Sequence, residues 1–408
     1  MLNGNGLRRV VITGCGVFSA LGDTPETLFD NLAQGKSAVV RAGEDEHFLP
    51  TAPAPRDPDR FRILPRTLRR AMAPSACFTA MAGLSALTDS GLERDGLPAM
   101  NAGCAVGSTM GSVSALRDGY SLVLSGQSDR LSPMHFFKSA SHTTAFNLAR
   151  TLGLQGAVYS PCSACASGLQ AMGLGAALIA AGQTDVMFCG GADETGSEVS
   201  GSFALMYAHA PAEGNPEDAP QPFSAHRKGL VCGEGAAVFC LEEYEHAKRR
   251  GARIYGEIIG YASNSGGTGL SQSDAPAIAR CMTATCAMAG LAPSDIDYIS
   301  AHATSTIQGD AAEAAAIREV FGDSVPVSSL KGHLGHTLGA SGPLEMAAVF
   351  EMARHSLLIP TRNLREVAED CSGVDHVMTP REKKVRVFFK NSFAFGGINA
   401  SLICKINV

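Results

Sequence analysis

Cys165 stands directly before ASGLQAMGLGAALIAAG (166–182), a run apolar on nearly every helical face. A helix apolar all round is a buried helix. Tyr159 to Ser163 read as the end of a strand and a turn. Cys165 is therefore expected at a sharp strand-to-helix transition, where unpaired N–H groups and the helix dipole favour a thiolate. Such a turn can also present a backbone N–H to an oxyanion. The ordinary use of a cysteine among small apolar neighbours is packing, and that reading is kept for the other eleven of the 12 cysteines. Around Cys165 the small flanking residues leave room for a ligand, so spacing alone leaves nucleophile and packed thiol both standing. Cys162 and Cys165 also form a lone C-x-x-C, which adds a redox alternative.

A nucleophilic cysteine needs polar company. His302 follows the strand-like IDYIS and precedes ATST, while His336 lies in KGHLGHTLGASG, a Gly-rich loop entering an Ala-rich run. His47, His135, His209, His226, His246, His355 and His376 read as ordinary core or surface residues. His333 and His336 are three apart and, with His302, raise the question of a metal; no carboxylate stands at H-E-x-x-H spacing, so none is expected. NSFAFGGINA (391–400) reads as a Gly-rich turn that supplies backbone donors and a movable Phe. With neither a P-loop nor a G-x-G-x-x-G after a strand, no nucleotide cofactor is expected.

The elements that must hold these residues follow from periodicity. Short β-branched runs at 8–13, 101–107, 157–160, 185–190, 236–242, 254–263, 296–301, 325–328, 385–390 and 400–406 read as strands. Longer runs at 25–34, 66–91, 138–152, 165–182, 275–290, 310–321 and 341–355 read as helices. The alternation predicts an α/β fold of layered sheets and helices. Residues 85–108 parallel 287–305, and 181–194 parallel 382–397, which predicts two copies of one unit joined near 245–255. The Pro-rich segments 40–62 and 209–222 read as surface loops.

Composition narrows the class. Of 408 residues, 45% are hydrophobic and 18% charged, which excludes a disordered chain and a coiled coil. The shortage of charge suggests an oligomer interface. A net charge of -6 argues against nucleic acid as the main partner, so an acidic partner must meet a local basic patch. The N-terminal VVITGCG is β-branched and Gly-broken, a buried strand rather than a leader, and no apolar run of membrane-spanning length is present. Scattered cysteines in apolar runs suit a cytoplasmic protein.

Taken in order, SACASG with Cys165, HATST with His302, KGHLGHTLGASG with Lys331 and His336, and SFAFGG with Phe393 resemble the β-ketoacyl-acyl carrier protein synthases, of the KAS I and II type. PFSAHRKGLVCGEGA (222–236) and LEEYEHAKRRGA (241–252) resemble that family's middle region, so the likeness covers nearly the whole chain. It implies a thiolase-like fold: duplicated halves, here 1–250 with the nucleophile and 251–408 with the two histidines, forming a five-layer αβαβα core and working as a dimer. It implies that Cys165 carries the acyl group as a thioester. His302 and His336 would assist decarboxylation of a malonyl-carrier thioester and stabilise the enolate. The backbone N–H groups of Cys165 and Phe393 would form the oxyanion hole, and Phe393 would gate the entrance. Lys331 and Glu345 match a supporting charged pair, and Met110 falls where the family sets acyl-pocket depth. Arg66, Arg69 and Arg70 fall where the family meets its acyl carrier protein. No metal or cofactor is implied.

The chain departs from the family pattern near the site. Ala303 and Ala394 stand where Gly is usual, Ile307 where Pro is, Ile398 where Thr is and Ser224 where Asp is; His333 is an unusual third histidine. Losing Gly removes left-handed backbone freedom, which bears on the Phe393 gate. These changes keep open a specialised polyketide or aryl-polyene elongase paired with a chain-length-factor subunit. A thiolase would need a second cysteine in the NSFAFGGINA loop, and a starter-unit synthase would have Asn at His336. An inactive structural subunit is disfavoured by the complete Cys-His-His set. Sequence leaves open the acyl chain length and whether the dimer is homo or hetero.

Overall fold

The computed structural model describes residues 6–41, 49–266 and 269–406; His47 and part of the 40–62 segment lie outside them. Ten strands carry the architecture: β1 Val10–Ser19, β2 Gly103–Gly107, β3 Val158–Tyr159, β4 Val186–Asp193, β5 Gly235–Glu243, β6 Gly256–Ser265, β7 Tyr298–Ser300, β8 Pro326–Ser328, β9 Val387–Ala394 and β10 Ile398–Ile406. Each falls on a run expected from sequence. Six helices pack on them: α1 Pro74–Ser90, α2 Thr143–Leu152, α3 Ser167–Ala180, α4 Ala275–Ala289, α5 Ile307–Phe321 and α6 Ser341–His355.

Strand order proves the duplication. The first five strands run β1-β5-β4-β2-β3 and the second five β6-β10-β9-β7-β8, the same permutation, with a two-residue strand Asp375–His376 added beyond β8 in the second half. Directions match too: β5 is antiparallel to β1 and β4, as β10 is to β6 and β9, while the remaining pairs are parallel. The two paralleled sequence segments land on equivalent strands, β2 with β7 and β4 with β9. The sheets join through only three residue pairs, Val10–Ile12 of β1 against Gly256–Ile258 of β6.

Helices α3 and α6 each touch strands of both sheets and so lie between them. Their composition demands it: α3 carries no charge, and Ser341–Met352 of α6 is buried without a break. On one outer face α1 packs on β1 and β5 with α2 beside it; on the other, α4 packs on β6 and β10 with α5 beside it. Five layers result, α1/α2, sheet, α3/α6, sheet, α4/α5.

Some helix bounds differ from expectation. The run 66–91 splits into Arg66–Arg69 and α1, because Pro74 has no N–H to give and sits in the first turn of a new helix. The run 138–152 splits at Ala140, whose backbone is extended, into Pro133–Ser139 and α2. Helices Val113–Leu124 and Ser197–Leu205 have no counterpart in the expected set. Among the described residues, no helix is long and apolar enough to cross a membrane.

Candidate active site

Three chain segments converge at the ends of the strands. After β3 the chain turns through Ala164, a non-glycine residue at φ 46, and places Cys165 just ahead of α3. Ser167 pins that strained turn: its Oγ accepts from the Ser163 N–H at 2.7 Å and donates to the Ala164 carbonyl at 2.6 Å. His302 follows β7, and His336 lies between β8 and α6. The loop bearing His336 is drawn in by backbone contact. A Cβ on Gly168 or Gly191 would meet the Gly339 carbonyl oxygen at 2.3 or 2.2 Å, so only glycine admits the loop. Asp193 fastens it, accepting from Gly339 N at 2.7 Å and from Ser108 Oγ at 2.7 Å.

The outcome is a buried cluster in which one atom each of Cys165, His302 and His336 lie within 4.8 Å of one another. His336 Nε2 is 2.8 Å from Cys165 Sγ. The two imidazoles meet edge to face at 5.2 Å, and Phe393 packs edge-on against His302 at 5.9 Å. The cavity over Cys165 is lined by both histidines, Phe393, Phe395, Phe203, Leu230 and Thr304.

Electrostatics assign the protonation states. Burial, Lys331 and Lys390 hold His336 well below the ordinary histidine value, and the same groups with His336 do so for His302. Both rings are therefore neutral. Neither Nδ1 has a partner, and a proton there would be a buried orphan. Each ring thus keeps its proton on Nε2, the nitrogen available to a ligand. The thiol departs from the sequence expectation. Burial pushes Cys165 up to about 12, although Lys331 and its own backbone N–H pull the other way. The turn at the helix start does not outweigh desolvation, so Cys165 rests as a thiol beside an imidazole.

Charged groups sequence reasoning did not single out hold the histidines. Glu313 accepts from the N–H of His302 at 2.8 Å, of Ala303 at 2.6 Å, and from Asn391 Nδ2 at 3.0 Å. Its signal was an acid in the small-residue helix AAEAAAI, facing inward. Lys331 Nζ donates to Glu345 Oε1 at 2.6 Å, the supporting pair expected by resemblance. Lys390 joins it on Oε2 of the same carboxylate. A lysine inside the apolar strand VRVFFK was its signal.

Other expected residues lie elsewhere. His333 points away, its ring nitrogens on the carbonyls of Lys36 and Pro360, and is a staple between segments. Met110 does not line the cavity over Cys165; it is 45% exposed on the outer surface. Arg66 and Arg70 are exposed and Arg69 half-buried. Neither Ala303 nor Ala394 takes a left-handed backbone, so the glycine freedom lost there is not used in this conformation.

A duplicated α/β unit that sets a cysteine from one copy against paired neutral imidazoles from the other is the thiolase-like fold equipped for condensation. Residues 7–247 match the family model of the beta-ketoacyl synthase N-terminal domain and 255–365 that of its C-terminal domain. The chain is 36% identical to 3-oxoacyl-[acyl-carrier-protein] synthase 2 of Coxiella burnetii (strain RSA 493 / Nine Mile phase I), over 97% of this chain and 98% of that one. A crystal structure of a beta-ketoacyl synthase from Burkholderia phymatum STM815 superposes with TM-score 0.93 at 38% identity, covering 98% of this chain and 100% of that one. The structure titled as the ishigamide ketosynthase/chain length factor superposes at 0.91 with 30% identity, covering 98% and 100%. The chain belongs to the beta-ketoacyl synthase family.

Proposed function

We infer that this chain condenses an acyl group held on Cys165 with malonyl-acyl carrier protein, releasing CO2 and a β-ketoacyl carrier two carbons longer. The observation that carries this is the 2.8 Å contact of Cys165 Sγ with His336 Nε2, beside a second neutral imidazole. In the first half-reaction Sγ attacks the acyl thioester carbon. His336 Nε2–H hydrogen-bonds Sγ as the thiol gives up its proton, which leaves on the departing carrier sulfur. Malonyl carrier then loses CO2, and the electron pair of the broken C–C bond spreads onto the thioester oxygen. Two Nε2–H groups hydrogen-bond that oxygen, and being neutral they do not quench the enolate by protonation. The enolate carbon attacks the acyl carbon, the C–S bond to Cys165 breaks, and solvent restores the thiol proton. Backbone N–H groups of Cys165 and Phe393 serve the tetrahedral oxyanion, and Phe393 gates the cavity.

The supporting surfaces fit a carrier and a second subunit. Exposed Arg66 and Arg70, with half-buried Arg69, offer cations to an acidic carrier protein. Edge strand β3 is exposed, and so are Tyr120, Leu124 and Phe136, the last two 85% and 68% exposed. A like or chain-length-factor-like subunit would cover exposed apolar residues of this kind and wall the acyl pocket at Met110. We place the boundary between halves at 250/251 and the enzyme in the cytoplasm. Intact-mass spectrometry with medium-chain acyl carrier thioesters is the test. Acyl mass on the wild type and none on Cys165→Ala is the expected result. No acyl mass from any saturated or unsaturated chain would sink the homodimeric elongase and leave the two-subunit reading.

A further inference from the structure

Lys390 is completely buried in β9, opposite Ser300 in register. Its ammonium meets only oxygen: the carbonyls of Ser300 at 3.4 Å and Ala301 at 3.2 Å, Ser300 Oγ at 3.3 Å, and Glu345 Oε2. Ala301 is the residue before His302. The backbone carrying His302 is therefore gripped twice, its preceding carbonyls by Lys390 and its following amides by Glu313. Glu345 takes Lys390 on one oxygen and Lys331 on the other, and Lys331 lies five residues before His336. The chain Lys331–Glu345–Lys390 thus ties the segment of one histidine to that of the other.

We propose that Lys390 is a positioning residue for the decarboxylation half-reaction, a tethered cation that fixes His302 in register with His336 through the shared Glu345. The inference rests on the condensing activity inferred above. The groups facing this ammonium are Glu345 from α6, Lys331 from the short helix Lys331–Leu334, and Glu313 from α5. Lys390 grips only the backbone that leads to His302, while Cys165 is pinned by its own turn and meets His336 Nε2, so acylation does not depend on Lys390.

The test compares Lys390→Met, which keeps the stem's bulk, with Lys390→Ala, which empties an oxygen-lined space. Cys165 acylation is read by intact mass and CO2 release from malonyl carrier is read separately. The expected result is acylation near wild type and decarboxylation lowered roughly a hundredfold in both variants, as for a donor misplaced by about 1 Å. Methylammonium should restore much of the loss in Lys390→Ala and none in Lys390→Met, with sodium at equal ionic strength inert. Normal decarboxylation in Lys390→Met would show that only bulk matters and overturn the proposal. An equal fall in acylation and decarboxylation, with no methylammonium response, would do so too. A wild type that neither acylates nor releases CO2 would overturn the condensing activity itself, and this inference with it.

Discussion

Replacing Glu313 by Gln removes one atom's charge and little else, so its consequences can be worked from the geometry. The carboxylate receives three donors: the N–H groups of His302 and Ala303, one on each oxygen, and Asn391 Nδ2. A glutamine offers one acceptor oxygen and turns an NH2 toward a backbone N–H. One charge-assisted hydrogen bond is lost, one buried donor is left facing another, and the net loss is about 3 kcal/mol. With an unfolding entropy of about 2.1 cal/mol/K per residue over 408 residues, that lowers the melting temperature by about 3–4 °C. The amide that must move is that of His302, so its imidazole moves with it. Decarboxylation of malonyl carrier should fall by about two orders of magnitude, while Cys165, held by Ser167 and α3, should still take an acyl group. Differential scanning calorimetry and the two half-reactions measured apart read each part. A Glu313→Gln protein that melts with the wild type and decarboxylates within about twofold of it would refute the claim that this carboxylate sets the position of His302.

Two further outcomes follow from charge. Burial and the nearby ammonium groups hold His302 and His336 below the ordinary value of 6.5, whereas in the unfolded chain both protonate near it. Stability from these two rings is therefore complete above 6.5 and lost as pH falls toward their folded values. Histidine ring NMR signals assigned to them should stay at their neutral positions from about pH 7.5 to 5.5, and a midpoint near 6.5 for either would contradict the assignment. At the surface, reversing Arg66 and Arg70 to Glu should raise the KM for carrier substrates about tenfold at low salt and flatten its salt dependence. An unchanged KM and salt slope would move the carrier's landing site elsewhere.

The strands and the buried helix after Cys165 were legible because each rests on a local pattern, and the triad of Cys165, His302 and His336 because four motifs in order resemble one family. The β-branched runs gave ten strands, and the uncharged stretch after Cys165 gave a buried helix with its start in view. The groups that hold the triad were not, because each is a single charged residue whose partner is far along the chain. Glu313 reaches a strand pair through Asn391, 78 positions away, and Lys390 reaches back 90 positions to Ser300. The thiol's raised pKa was hidden for a similar reason. A helix start is a local feature, whereas desolvation comes from two sheets and a second helix closing over it. Pro74 was visible and should have ended the 66–91 run.

The equivalent permutation of the two sheets lets the site be read as two matching positions. In each copy the second, third and fourth strands run parallel and end on one side, where their last residues and the turns after them gather. In one copy these are Ser108, Cys165 and Asp193; in the other they are His302, His336 and Phe393. Cys165 and the His336 ring that donates to its sulfur thus occupy equivalent positions, each after the third strand of its copy. A symmetric pair of identical units could offer two sulfurs or two rings at that position, never one of each. The break of symmetry between the two copies is what makes a thiol and its hydrogen-bond donor neighbours.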